Sequence, residues 1–180
     1  PRRCGIATFT SDSYDALRKR FPSLRVDLYA MDDGAECDYA DHIVTIGQGD
    51  RLAYEAAARR ISASGAQALW LQHEYGIYGG VAGEFVLDLI RHTSIPIVAT
   101  LHTILENPSP DERRVLEALV NRAFRLIVMA EKGREILNGA YGVPNDRIIF
   151  LPHGVPDRPF LESAHFKKQY RLEGRKVILT

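Results

Sequence analysis

Ile97-Val98-Ala99-Thr100-Leu101 is a short, almost wholly apolar run in which hydrophobic residues follow one another instead of alternating with polar ones. Such a run is typical of a parallel strand whose two faces are both covered by helices. Similar runs occupy residues 68–71, 126–129, 148–151 and 177–179, with weaker candidates at residues 24–29 and 43–46. The pattern predicts a mostly parallel sheet.

Helical patterns lie between these strand candidates. Residues 54–61 place apolar side chains at helical spacing after Asp50, a candidate N-cap. Ser109-Pro110-Asp111-Glu112 combines an N-cap serine, a proline at the first helical position and a glutamate two residues later, which predicts a capping box. Further helices are predicted around residues 85–90, 115–124, 131–140 and 166–172. The alternation of strands and helices predicts an α/β chain with a Rossmann-like, doubly wound sheet.

Two features predict the domain organisation. Pro156-Asp157-Arg158-Pro159 follows the last βαβ pattern and reads as a linker. Residues 1–155 are therefore predicted to form one Rossmann-like domain, and residues 156–180 the linker and the start of a truncated second domain. Residues 4–8 read as a loop that enters a helix, and no strand precedes them, so the first domain is expected to lack its first strand.

Composition excludes several classes of protein. The 180 residues contain 23 Lys+Arg and 23 Asp+Glu, and this zero net charge gives no reason to expect nucleic-acid binding. No apolar stretch approaches the roughly 20 residues of a membrane span, so no transmembrane segment is predicted. Cys4 and Cys37 are isolated, which fits a reducing compartment and predicts a cytoplasmic location.

Three of the six histidines directly follow strand candidates: His73, His102 and His153. In open α/β sheets, ligands bind beyond the carboxyl ends of the strands, so we expect these imidazoles in one crevice. The alternative for each is a histidine that only bonds a backbone carbonyl. No metal is predicted, because His73-Glu74 lacks the second histidine of a zinc motif.

Glycines give a second signal. Gly5 precedes a helix and would let a phosphate approach the helix N-terminus. Gly79 and Gly80 belong to a glycine cluster that predicts an anion-binding loop, or alternatively a turn with a helix cap. Residues 47–52 begin like a dinucleotide fingerprint but end in leucine, which disfavours an NAD site.

Four segments together resemble the amino-terminal domain of glycosyltransferase family 4, also called glycosyltransferase group 1. The segments are Arg2-Arg3-Cys4-Gly5-Ile6-Ala7-Thr8-Phe9, Leu71-Gln72-His73-Glu74-Tyr75-Gly76-Ile77-Tyr78-Gly79-Gly80, Thr100-Leu101-His102-Thr103 and Leu151-Pro152-His153-Gly154-Val155. The resemblance implies a GT-B architecture and transfer of a sugar from a nucleotide-sugar, with retention of configuration and without a cofactor. It also implies a carboxyl-terminal domain that holds most of the donor.

The resemblance also implies residue roles. Gly5 matches a glycine loop that approaches the donor phosphates, and His102 matches a histidine near the transferred sugar, so His102 is the predicted catalytic residue. His153 stands where relatives often carry asparagine. Together with the histidine and glycine patterns, the resemblance gives these predicted binding residues: Gly5, His73, Glu74, Gly79, Gly80, Thr103, His153 and Gly154.

The leading hypothesis is the acceptor-side domain of a retaining, hexosyltransferase-type enzyme, inactive as this chain alone. Its predicted partners are a nucleotide-sugar, a glycan or other acceptor, and the carboxyl-terminal domain. Because a missing strand would leave a sheet gap, self-association of the chain is also an expectation. The alternative hypotheses are a non-catalytic module that binds a nucleotide or carbohydrate, and an NAD-type oxidoreductase domain.

Overall fold

Parallel strands and intervening helices make up the chain in a computed structural model, which describes residues 4–35, 39–155, 159 and 161–178. The strands are β1 (Leu28–Asp32), β2 (Ile43–Gly47), β3 (Leu69–His73), β4 (Ile97–Leu101), β5 (Arg125–Val128) and β6 (Ile148–Phe150). The helices are α1 (Gly5–Arg20), α2 (Arg51–Ala63), α3 (Val86–His92), α4 (Pro110–Arg122), α5 (Glu131–Tyr141) and α6 (Ser163–Gln169), with short 3-10 turns at Tyr75–Ile77, Val81–Gly83 and Asn145–Arg147. The predicted Rossmann-like α/β class is confirmed.

The strands form two parallel sheets. One has the order β1-β2, and the other has the order β3-β4-β5-β6. Within the described residues, β1 and β3 each pair along one edge only. Helix α2 carries the chain from the first sheet to the second.

The main core lies on one face of the larger sheet. Leu71, Ala99, Leu101, Leu126 and Val128 point to this face and are almost wholly buried. They pack against the apolar sides of α3, α4 and α5, including the completely buried Leu116, Leu119 and Leu137. The opposite face is less covered: Trp70 remains 37% exposed and Ile149 42% exposed.

Helix boundaries follow the capping signals in the sequence. The Ser109 hydroxyl accepts from the Glu112 amide at 3.3 Å, while the Glu112 carboxylate accepts from the Ser109 amide at 2.7 Å. The predicted capping box is therefore present in full at the start of α4. Asp50 caps α2 as predicted, through its bond from the Leu52 amide. Gly142 closes α5 in the left-handed conformation, with φ of 63°.

Two sequence predictions near the end of the chain need correction. Residues 177–178 are not in a strand, and the rest of that predicted run lies outside the described residues. The helix predicted at residues 166–172 is found at Ser163–Gln169. The predicted domain boundary falls at residues 156–158, which also lie outside the described residues, so it stays a prediction.

A membrane-spanning helix was not predicted. Within the described ranges of the chain, none of the helices combines the length and apolar character that crossing a bilayer requires.

Candidate functional site

The carboxyl ends of β4 and β6 lie beside helix α1 at one edge of the larger sheet. This edge is here called the histidine rim (His102, His153 and the first two turns of α1). Phe9 of α1 places its ring edge-on to His102, with centroids 5.0 Å apart, and also contacts the ring of His153 at 5.3 Å. One aromatic side chain therefore bridges two of the three predicted histidines. Parallel strands explain this convergence, because all their carboxyl ends lie on the same side.

His102 is half-buried at the centre of this rim. Its backbone amide donates to the His73 carbonyl at 3.0 Å, which continues the β3–β4 ladder by one bond. Its Nε2 lies 2.9 Å from the Gln72 side-chain oxygen. Burial lowers the pKa of His102, the Glu74 carboxylate raises it in part, and His153 lowers it further. The ring is therefore mainly neutral near pH 7 and able to accept a proton or a hydrogen bond.

Glu74 and Thr103 form a second pair that links the β3 and β4 ends. The Thr103 hydroxyl donates to Glu74 Oε2 at 2.5 Å, and the Tyr75 amide donates to Oε1 at 2.9 Å. Both carboxylate oxygens of Glu74 therefore accept a hydrogen bond. The pair fixes a negative charge beside His102, where it partly offsets the effect of burial on that ring.

His73 does not open into the crevice. Its side chain is completely buried, stacked on Tyr78 and edge-on to Tyr75. Within the described residues, neither ring nitrogen has a hydrogen-bond partner. Burial lowers the pKa of His73 to about 4, and nearby His102 adds to this effect. His73 thus lies on the core face of β3 with Leu71, and its contact with a ligand stays a prediction.

Gly79 and Gly80 also have structural explanations. The Gly79 amide donates to the Tyr54 hydroxyl at 2.9 Å inside the protein, so it is not offered to an anion. A Cβ at Gly79 would lie 2.0 Å from the Gln48 carbonyl oxygen. Gly80 has φ of 80° and packs against Phe85. The structure favours the alternative of a turn that leads into a helix, and the anion-binding role of Gly79 and Gly80 stays a prediction.

Gly5 is the first residue of α1, so the helix already contains residues 5–8, which were predicted to form a loop. Within the described residues, a Cβ placed at Gly5 would meet no heavy atom within 4 Å beyond its chain neighbours and its own helix backbone, so the space beside this glycine is open. The Cys4 thiol caps the helix by accepting from the Ala7 amide at 3.4 Å. The N-terminal end of a helix carries partial positive charge, which suits an anionic group.

His153 and Gly154 lie beyond β6 and are exposed. His153 Nδ1 is 2.7 Å from the Gly154 carbonyl oxygen. This contact agrees with the alternative interpretation, in which the histidine only bonds a backbone carbonyl. Gly154 lines a cavity of about 210 Å³ between α1 and the less covered sheet face, together with Phe9, Trp70 and Thr100. This cavity adjoins the histidine rim.

Sequence reasoning missed Gln72 and Phe9. Gln72 directly follows an apolar run, as His73 does, but it occupies the alternate position and so turns to the less covered face. The alternation of side chains along a strand was the signal that distinguishes the two. Phe9 reads as an ordinary helix residue, and its contact with two histidines depends on how α1 packs.

A second cavity lies away from the histidine rim. A larger cavity of about 480 Å³ is lined by Arg25, Asp27, Tyr29, His42 and Arg60, among others. It lies at the amino-terminal ends of β1 and β2, the edge opposite the strand ends that carry the rim, and contains none of the predicted site residues. Within the ranges that the structure describes, three or more His, Cys, Asp or Glu side chains do not gather into a metal-binding group.

Comparison with known proteins adds one finding. The family model described as Glycosyltransferase Family 4 matches residues 5–158. No curated protein matches the chain significantly. The matched region begins at the first residue of α1, includes all six strands and ends just beyond Gly154, so it contains the whole histidine rim. With most of its length and its candidate site inside that match, the chain belongs to glycosyltransferase family 4 and has a glycosyltransferase-type function.

Proposed function

We propose that the chain is the acceptor-side domain of a retaining glycosyltransferase with GT-B architecture. Its donor is a nucleotide-sugar of the hexosyl type, and its acceptor is a glycan or another hydroxyl compound. The observation that carries the proposal is the half-buried His102 at the strand ends, held between Gln72 and Phe9 inside the matched family region. The family membership and the open rim support it.

The reaction would break the bond between the anomeric carbon and the diphosphate oxygen and form a bond from that carbon to the acceptor oxygen. The nucleoside diphosphate leaves with the electron pair of the broken bond, and its departing oxygen takes the proton that the acceptor hydroxyl loses. Stabilising the charge that develops on the leaving diphosphate supplies much of the rate in such a reaction. The chain's own contribution is to orient the sugars and to place helix dipole and imidazole groups near them.

Each rim residue then has a role that its position supports. His102 contacts the reacting sugar and accepts a hydrogen bond from it. Glu74 and Thr103 hold the negative charge that adjoins His102. Gly5 gives the diphosphate access to the start of α1, Gly154 lines the cavity of about 210 Å³ in which the acceptor would bind, and His153 lies beside it against Phe9.

A carboxyl-terminal domain would hold most of the donor, so the 180-residue chain alone is proposed to be inactive. We further propose that the enzyme works in the cytoplasm, and that the edges of β1 and β3 left unpaired in the described structure favour self-association of this chain. Turnover of a nucleotide-sugar by the 180-residue chain would contradict the first of these proposals. The oligomeric state in solution tests the last.

The decisive experiment uses the enzyme that carries both domains. Nucleoside-diphosphate hexoses are supplied with glycan acceptors, and released diphosphate and new glycoside are measured for the wild type, His102→Ala and the control His92→Ala. His92 is an exposed histidine at the end of α3, away from the rim. We expect transfer by the wild type and the control, and a loss of about a hundredfold or more in His102→Ala.

The alternative hypothesis predicts a different outcome. Binding of nucleoside diphosphates without sugar transfer or release would identify a non-catalytic binding module. Transfer that is unaffected by His102→Ala would keep the activity but reject the proposed role of His102.

A further inference from the structure

The side chains of Gln72 and His102 are diagonal neighbours on adjacent strands, and a second pair of side chains on the same two strands has the same offset. Strands β3 and β4 pair Trp70 with Val98 and Gln72 with Thr100. The Trp70 indole N–H donates to the Thr100 hydroxyl at 2.8 Å, which is two residues beyond its register partner. Gln72 reaches His102 at 2.9 Å across the same two-residue offset. Diagonal neighbours on a sheet lie within reach of long side chains, so the pairing is a consequence of strand register.

The backbones on both sides of this pair are anchored. The Gln72 carbonyl accepts from the Tyr78 hydroxyl at 2.5 Å, in addition to its place in β3. The His102 amide donates to the neighbouring His73 carbonyl. Because both backbones are anchored, the side chains of Gln72 and His102 are held in one relative orientation.

The chemistry of the pair determines where the proton sits. A glutamine side-chain oxygen has lone pairs and no proton, so it can only accept, and the His102 nitrogen that faces it must donate. In a neutral imidazole, the other nitrogen then carries the lone pair. Nδ1 of His102 has no hydrogen-bond partner within the described residues.

We propose that Gln72 is a positioning residue that holds His102 with its proton on Nε2, so that the ring offers Nδ1 as a hydrogen-bond acceptor. The group that meets His102 must then be a donor, such as a sugar or acceptor hydroxyl, and not a fully deprotonated phosphate oxygen. The inference deepens the proposed function, and its relevance to sugar transfer rests on that function. The Gln72–His102 relationship itself does not depend on any sugar.

The groups around His102 are consistent with this arrangement. Glu74 and His153 are the charged or titratable neighbours on the exposed side, with opposite effects on the ring, and His73 lies buried behind it. The edge-on contact with Phe9 is apolar and takes up no hydrogen bond. Gln72 therefore supplies the one polar side-chain contact to this ring within the described structure.

Nuclear magnetic resonance of the 15N-labelled 180-residue protein tests the inference directly. Correlations from the ring carbon-bound protons to both ring nitrogens identify which nitrogen of His102 carries the proton, and exchange with water reports how well that proton is held. We expect a single neutral form protonated on Nε2. Gln72→Leu should lose the protected Nε2–H signal or show a mixture of tautomers, whereas Gln67→Leu, at an exposed glutamine before β3, should match the wild type.

Gln72→Glu provides a second, conservative variant that keeps an acceptor oxygen at the same place. Its carboxylate should retain the proton on Nε2 and raise the pKa of His102 by about one pH unit or more, an effect that mere loss of packing would not produce. If Gln72→Leu fails to fold, this variant and the wild-type spectrum decide the matter together.

Protonation of His102 on Nδ1 in the wild type, or an unchanged tautomer and exchange rate in folded Gln72→Leu, would overturn the inference. The two proposals fail separately. An Nε2-protonated ring in an enzyme that transfers no sugar would reject the proposed function alone. An active transferase whose His102 is protonated on Nδ1 would reject only the role of Gln72.

Discussion

The imidazole of His73 stacks on the phenol ring of Tyr78, with ring centroids 6.2 Å apart and planes inclined by 26°. Tyr78 is itself fixed, because its hydroxyl donates to the Gln72 carbonyl. His73 thus forms part of the packing that supports the strand bearing Gln72. Its place in the core also makes it sensitive to pH.

Acidification is expected to destabilise the protein through His73. Its pKa is about 4 when folded and 6.5 in the unfolded chain, so the unfolded state binds the proton first. The contribution of neutral His73 to the free energy of unfolding is fully present above about pH 6.5 and is lost as the pH falls towards 4. The loss in the free energy of unfolding from this residue reaches about 3 kcal/mol at most. Urea unfolding at several pH values measures it.

A matched pair of variants isolates this effect. His73→Phe keeps a ring between Tyr75 and Tyr78 but cannot ionise, so its stability should fall less between pH 7 and pH 4 than that of the wild type. His92→Phe changes an exposed histidine and should retain the wild-type pH dependence. Equal slopes in His73→Phe and the wild type would show that His73 is not the group responsible.

Gly79 cannot accept a side chain without rearrangement. Gly79→Ala would press a methyl group against the Gln48 carbonyl oxygen and the Phe85 ring, and should lower the free energy of unfolding by about 1–3 kcal/mol. The same substitution at Gly139, a helical glycine of α5, should instead raise it by about 0.5–1 kcal/mol, because in the described structure the added Cβ meets no heavy atom within 4 Å beyond its own stretch of helix. Thermal and urea unfolding of both variants provide the comparison, and equal effects would refute the packing explanation.

Tyr54 holds the same glycine loop through its hydroxyl. It donates to the Gln48 carbonyl at 2.9 Å and accepts from the Gly79 amide, which has no contact with water. Tyr54→Phe removes both hydrogen bonds and takes away the acceptor of the buried Gly79 amide, so it should cost about 1–3 kcal/mol of unfolding free energy. Tyr14→Phe, which removes a hydroxyl bonded to an exposed Arg18, should cost less than about 0.5 kcal/mol. A Tyr54→Phe protein as stable as Tyr14→Phe would contradict this account.

The Ser109 cap of α4 makes a smaller, measurable contribution to the free energy of unfolding. Ser109→Ala removes the hydroxyl that accepts from the Glu112 amide and should lower the free energy of unfolding by about 1 kcal/mol. Ser23→Ala, at an exposed serine in the turn after α1, serves as the control and should change little. No difference between the two variants would mean that solvent replaces the cap without cost.

Local patterns in the sequence predicted most of the elements. The run at Ile97–Leu101 coincides with β4, and the Ser109 and Gly142 signals mark the ends of their helices. These signals succeed because a cap or a buried strand depends on neighbours close in sequence. The run at residues 177–178 failed because strand formation requires a pairing partner, which local composition does not specify.

The site was predicted less completely than the fold. Position after a strand run correctly placed His102 and His153 at one rim, but it treated His73 as their equivalent. Consecutive side chains of β3 point to opposite faces of the sheet. This alternation places His73 on the core face and Gln72 on the less covered face beside His102. The close approach of Gln48 and Phe85 to Gly79 was not predicted, because it arises from tertiary packing that the spacing of the glycines does not reveal.

The less covered face of the larger sheet has a practical consequence. Trp70 lies there, partly exposed beside the small cavity near the rim, and it is the single tryptophan of the sequence. All indole emission from this protein therefore originates at that one surface. A solute or polypeptide that binds to this face will change the emission wavelength or the quenching of Trp70 fluorescence, so binding can be followed without an added label.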